Sequence, residues 1–264
     1  LAVLFWPTPF FLPKVKLVEM SQSYVVFGAA GGIGAELSRR LVAAGNRLLL
    51  CGRSEGPLVE LGNELAQPTA VLDAKDWLAT EAAIDQAVSL FGSINGAVNL
   101  AGSLLLKPAH LTTAEEWRDT VDQNLTTAFG LVKYAAPAMR KSGGGSIVLM
   151  SSGAAAIGLP NHEAIAAVKA GIEGLVRSAA ATYAAANVRI NAVAPGLTQT
   201  PLTRRVWENE KGAEASRAMH PLGRLGTAAD IASAIAWLLD PAQTWITAQT
   251  IAVDGGLSTL KTNR

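Results

Sequence analysis

Among 264 residues this sequence has one cysteine, three histidines and only 16% charged side chains. The single cysteine excludes an internal disulfide and fits a reducing compartment, the cytoplasm. Cys51 itself reads as a small core residue at the end of a strand. His110, His162 and His220 stand far apart and, with one cysteine, offer no metal-ligand cluster, so no metal site is expected. The net charge is +1 and no long run carries one sign, which argues against nucleic acid and membrane surfaces as partners. No apolar run is long enough to span a bilayer. The nearest approach, the opening LAVLFWPTPFFLPKVKLVE, is broken by Pro7, Pro9 and Pro13. It also lacks the basic leading region and small-residue cleavage site of a secretory signal. Residues 1–19 are therefore expected outside the fold, with residues 20–264 forming one domain.

What the sequence does have is apolar content, 50% of its residues, enough for a sizeable core. From Ser23 onward short apolar runs alternate with amphipathic stretches. SYVVFGA, RLLLCGR, TAVLDA, INGAVNLAG, GSIVLMSS, VRINAVAPG and TIAVDGG read as seven strands. Continuous apolar runs mark strands covered on both faces, and the helical stretches between them mark βαβ units. Thr113 and Glu116 have the spacing of a capping box that opens a long helix over 113–141. A second helix is expected from about Asn161 to Ala185, with Asn161 after Pro160 as its N-cap. The fold class that follows is α/β: a single Rossmann-type doubly wound domain with an about seven-stranded parallel sheet and helices on both faces.

The glycines of Gly28-Ala-Ala-Gly-Gly32-Ile33-Gly34 fall between the first strand and the first helix. Glycine there lets the backbone turn tightly against a pyrophosphate whose charge meets the helix N-terminus, so a dinucleotide is the expected ligand. The second strand ends at Gly52, where an acidic residue would have held the ribose 2′-hydroxyl of NAD. Arg53 and Ser54 follow and suit a 2′-phosphate, which favours NADP(H) over NAD(H).

These motifs, in this order, resemble the short-chain dehydrogenase/reductase superfamily from about residue 22 to 258. Gly28, Gly32 and Gly34 match its glycine loop, with Phe27 where a Thr is usual. Asp73 matches the residue that contacts the adenine. Asn99, Ala101 and Gly102 of NLAG match the N-N-A-G turn, with Leu100 for the second Asn. Pro195, Gly196 and Thr200 match the segment that meets the nicotinamide end, and TAQTIAVDGG resembles the closing strand. The resemblance implies hydride transfer between a nicotinamide and a carbonyl or alcohol carbon. In that family a Tyr hydroxyl moves the proton, helped by a Lys four residues later that also holds the ribose. Ser152, Asn124 and Lys169 match the substrate-binding Ser, the Asn that holds a relay water, and that Lys.

The position four residues before Lys169 is Ile165, which has no proton to give. Tyr183 and Tyr134 lie about 21 Å and about 15 Å along their helices from Lys169 and Asn124 at 1.5 Å per residue. Tyr24 lies upstream of the glycine loop, so no tyrosine stands in. His162 precedes Lys169 by seven residues, close to two helical turns, and is expected on one stripe with Ile165 and Lys169. Enoyl reductases of the superfamily carry their Tyr at this spacing, and imidazole is a competent acid near neutrality. Two functions follow: an NADP(H)-dependent oxidoreductase using His162 or a held water to reduce C=O or conjugated C=C, or a catalytically silent NADP(H)-binding sensor or assembly subunit. A substrate lid is expected near 197–226, where Arg204 and Arg205 read more readily as solvated charges than as acid-binding groups. The expected partners are a small-molecule substrate and a second copy of the chain. Relatives form a homodimer or homotetramer through the two long helices, the second of which is rich in Ala166, Ala167, Ala170, Gly171 and Gly174.

Overall fold

The structure, a computed structural model, describes residues 21–261; the expectation for residues 1–19 lies outside them. In chain order the elements are β1 Ser23–Phe27, α1 Gly32–Ala43, β2 Arg47–Gly52, α2 Glu55–Leu65, β3 Thr69–Val71, α3 Trp77–Phe91 and β4 Gly96–Asn99. There follow α4 Ala114–Val121, α5 Thr127–Lys141, β5 Gly145–Met150, α6 Glu163–Tyr183 and β6 Val188–Pro195. The last are α7 Arg204–Trp207, α8 Glu210–Met219, α9 Ala228–Leu239 and β7 Thr250–Val253. The seven strands form one sheet in the order β3-β2-β1-β4-β5-β6-β7, with every pairing parallel.

The sheet is covered on both faces, which is why its strands read as unbroken apolar runs. In β1, Val25 and Phe27 pack into the core under α3, α5 and α6, while Tyr24 and Val26 pack into the core under α1, α2 and α9. In β5, Ile147 and Leu149 face the first layer and Val148 the second. Each such fully buried side chain contributes about 1.5–3 kcal/mol. Cys51, with no exposed surface, is part of the first core.

Chain order reverses between β1 and β4, and at this switch point the carboxyl ends of the two strands open a crevice. Two helices differ from the sequence expectation there. The stretch over 113–141 begins with the expected capping box at Thr113 and Glu116 but is not one regular helix. A π-helical turn, Asp122–Thr126, separates α4 from α5. Side chains interrupt the ladder at this point: Asn124 Nδ2 donates to the Thr120 carbonyl at 2.9 Å, and Thr127 Oγ1 donates to the carbonyls of Gln123 and Asn124, each at 3.1 Å. The second correction concerns α6, which starts two residues later than expected. Asn161 takes a left-handed φ of 65° and its carbonyl accepts the Lys107 N–H, so His162 becomes the N-cap. Asn tolerates the left-handed region as readily as it caps a helix, and the tertiary bond to Lys107 decides between the two.

Candidate active site

The crevice is floored by the loop after β1. Gly28 has φ +77°, and a Cβ there would come within 2.8 Å of the Leu100 carbonyl carbon. A Cβ on Gly34 would run into the Gly28 carbonyl. Bare backbone is therefore required at both positions. Helix α1 opens with Gly31 as an N-cap that supplies no side-chain bond, and its first turn holds no acidic residue. Its leading N–H groups and positive end are left for an anion, and Gly31, Gly32, Ile33 and Gly34 all line the crevice.

Toward β2 the crevice is walled by Arg53, Ser54 and Asp73 together with Gly28, Ala101 and Gly102. Arg53 is exposed, and Ser54 is the N-cap of α2 with its hydroxyl not engaged in capping. Asp73 accepts the Lys75 N–H at 3.0 Å, with the Lys75 ammonium 3.7 Å from its carboxylate. Lys75, Gln123, Thr127 and Leu202 line the same region, and sequence reasoning missed them because no periodicity or motif singles them out. Asn99 is placed differently from the other expected contacts. Its amide donates to Thr127 Oγ1 at 3.0 Å and its carbonyl accepts the Ala101 N–H at 3.1 Å, so it is spent holding the turn and lies behind the wall.

Toward β5 the crevice continues past Ala101 and Gly102 to Asn124, Ser152, Lys169, Pro195, Gly196 and Thr200. Ser152 leaves β5 with its Oγ accepting the Ala154 N–H at 3.2 Å, which keeps its own hydrogen for another acceptor. Asn124 Nδ2 reaches Ser103 Oγ at 3.1 Å. Lys169 Nζ donates to the Met150 carbonyl at 2.9 Å, and burial pushes its ammonium down to about 8. Ile165, 3% exposed, shares this wall with Ser152 and Lys169.

Ser152 and Ile165 also line a second cavity of about 260 Å³, closed by Thr203, Val206, Met219 and His220 of the segment after β6. His162 is on its wall. As the N-cap it precedes the first turn of α6 rather than lying inside it, which corrects the expectation of a continuous helical stripe with Lys169. Its Nδ1 donates to the Pro160 carbonyl at 2.8 Å, which leaves Nε2 as the nitrogen able to exchange a proton. His220, 2% exposed, has both ring nitrogens occupied: Nδ1 donates to the Ser216 carbonyl and Nε2 accepts the Leu197 N–H at 3.2 Å. None of the three tyrosines lines either cavity. Tyr24 is buried at the far end of β1, where burial pushes its hydroxyl up to about 12.

The sequence model of the enoyl-(acyl carrier protein) reductase family matches residues 28–258. A solved short-chain type dehydrogenase/reductase from Mycobacterium ulcerans superposes with a TM-score of 0.87 at 32% identity, covering 90% of each chain. The chain belongs to the short-chain dehydrogenase/reductase family. Family members are oxidoreductases that bind NAD or NADP and act on small molecules, and the crevice fits such a cofactor: glycine where backbone must approach it, an uncapped helix start for its diphosphate. Among curated relatives, a tropinone reductase homolog of Arabidopsis thaliana is 37% identical over 242 residues, 89% of each chain. The cis-4-hydroxycyclohexanecarboxylate dehydrogenase of Sinomonas cyclohexanicum is 36% identical over 244 residues, 88% of this chain and 94% of its own. Levodione reductase superposes with a TM-score of 0.86 at 29% identity, covering 91% of this chain and 98% of its own. Among the described residues no helix is long and apolar enough to cross a membrane.

Proposed function

We propose that the chain is an NADP(H)-dependent reductase that reduces a carbonyl, or a conjugated C=C, and draws its proton from His162 in place of a tyrosine. One observation carries this reading: Ser152 and Ile165 line both the cofactor crevice and the cavity holding His162, so both meet at the place where a reacting oxygen would sit. A nicotinamide held in the crevice would supply the hydride. Ser152 donates its hydroxyl hydrogen to the substrate oxygen, and the His162 imidazolium gives up the Nε2 proton as negative charge develops there. Lys169 and Asn124 keep the crevice wall polar beside Ile165, and Lys169 would hold the ribose. Exposed Arg53 and the uncommitted Ser54 hydroxyl support a 2′-phosphate, hence NADP(H). The names of the relatives support a ketone or alcohol as the partner substrate. The proposal includes a cytoplasmic homodimer or homotetramer built on α5 and α6: Ala167 and Ala170 are exposed, and a Cβ on Gly174 would meet nothing, so these small residues are directed away from the sheet.

The test is an NADPH titration by fluorescence, followed by a carbonyl and enone panel with wild type, His162→Ala, Lys169→Ala and Ile165→Tyr. Turnover in wild type that falls in His162→Ala supports the reading. Tight NADPH binding without wild-type turnover, and activity appearing only in Ile165→Tyr, sinks it in favour of a silent nucleotide-binding protein.

A further inference from the structure

The cavity under the 197–226 segment has a wall with no acidic side chain, lysine or arginine in it. It is made chiefly of Leu104, Leu106, Leu159, Ile165, Val206 and Met219, with polar atoms from Ser152, Thr203, Ser216 and the two histidines. His220 has no ring nitrogen left for a ligand. The cations of this segment, Arg204, Arg205, Lys211, Arg217 and Arg224, do not line the cavity, and Arg204 pairs with Glu208 at 3.2 Å. A carboxylate placed here would lose its water and meet no lysine or arginine. The Ser152 hydroxyl and His162 Nε2 suit one uncharged oxygen. At about 260 Å³ the cavity suits a compact molecule.

From these walls we infer that the substrate is a small neutral apolar ketone, or the matching alcohol, and that the cavity selects against the same skeleton carrying a carboxylate. The inference rests on the proposed reading for which cavity holds substrate, but the selectivity is set by the wall and not by the proton donor. It separates this chain from a relative whose name specifies a cyclohexanecarboxylate. Leu106, 41% exposed at the rim, is where a cation could be added without disturbing the core.

A matched pair tests it: 4-oxocyclohexanecarboxylate and its methyl ester, which differ in charge on one ring. Turnover of both compounds is measured with NADPH. In parallel, calorimetry follows the two corresponding alcohols binding to the NADP+-loaded protein. The ester is expected to exceed the acid at least tenfold in kcat/KM, and its alcohol to bind at least tenfold tighter. Leu106→Arg is expected to narrow that gap. An acid that is turned over or bound as well as the ester overturns the inference, as does failure of both alcohols to bind. Ester-selective binding without turnover leaves the inference standing and removes the reductase reading; acid-selective turnover does the reverse.

Discussion

His162 hands its Nδ1 hydrogen to the Pro160 carbonyl at 2.8 Å, and this one bond fixes both the tautomer and the ring. Nε2 is left as the nitrogen outside that bond, and the residue lines the cavity together with Ser152. His162→Ala is expected to lower kcat by about 10²–10⁴ while leaving NADPH affinity within twofold, the usual range for loss of a general acid. Ile165→Tyr added to that variant is expected to restore activity, because it returns a hydroxyl to the wall between Ser152 and Lys169. If His162→Ala matches wild type from pH 5 to 9, the histidine is not the donor.

Arg53 stands exposed beside Ser54 at the mouth of the crevice. A charge-assisted bond to a 2′-phosphate is worth about 1.5–3 kcal/mol. Arg53→Ala should therefore raise the NADPH dissociation constant by about ten- to a hundredfold and leave that of NADH unchanged. Fluorescence titration of both cofactors checks it. Tighter binding of NADH than NADPH by wild type would remove the argument altogether.

Lys169 is expected to weaken the fold at neutral pH. Burial lowers its pKa from 10.5 to about 8, so the folded chain gives up this proton before the unfolded chain does. Below about 8 both states are protonated and the cost of a buried charge is fully present. Between about 8 and 10.5 the unfolded state binds more protons, and stability rises with pH. Lys169→Met should be more stable than wild type at pH 7 by up to about 3 kcal/mol, with the difference shrinking as pH approaches 10.5. Urea melts across that range check the slope, and loss of cofactor binding in the same variant would show that the lysine is kept for function.

Asn99→Ala removes two hydrogen bonds from a residue 3% exposed and strands the Ala101 N–H. The expected cost is about 1–3 kcal/mol of stability. NADPH affinity should fall as well, because Ala101 and Gly102 form crevice wall. An affinity equal to wild type at full stability would show that the turn holds itself.

The strands were legible because burial on both faces leaves an unbroken apolar run, and Gly28 and Gly34 because only glycine survives such contacts. The start of α6 was not: Asn161 satisfies the chemistry of an N-cap and of a left-handed turn alike, and the Lys107 bond that chooses between them is distant in sequence. The π-helical turn at Asn124 was hidden for a similar reason, since its partner Ser103 comes from the loop after β4. The bonds by which Asn99 closes its turn from within were not legible either, since Thr127 is distant in sequence. The small residues of α6 gave composition but not direction, which only the packing of Ile172, Val176 and Ala180 into the core supplies.

The ring of His220 ties Ser216 in α8 to Leu197 just beyond β6, and the same ring forms part of the cavity wall. A molecule that fills the cavity would meet the ring that joins these two elements. Occupancy of the site should be readable in the backbone: exchange of the Leu197 amide with deuterium should slow on ligand binding and quicken in His220→Ala.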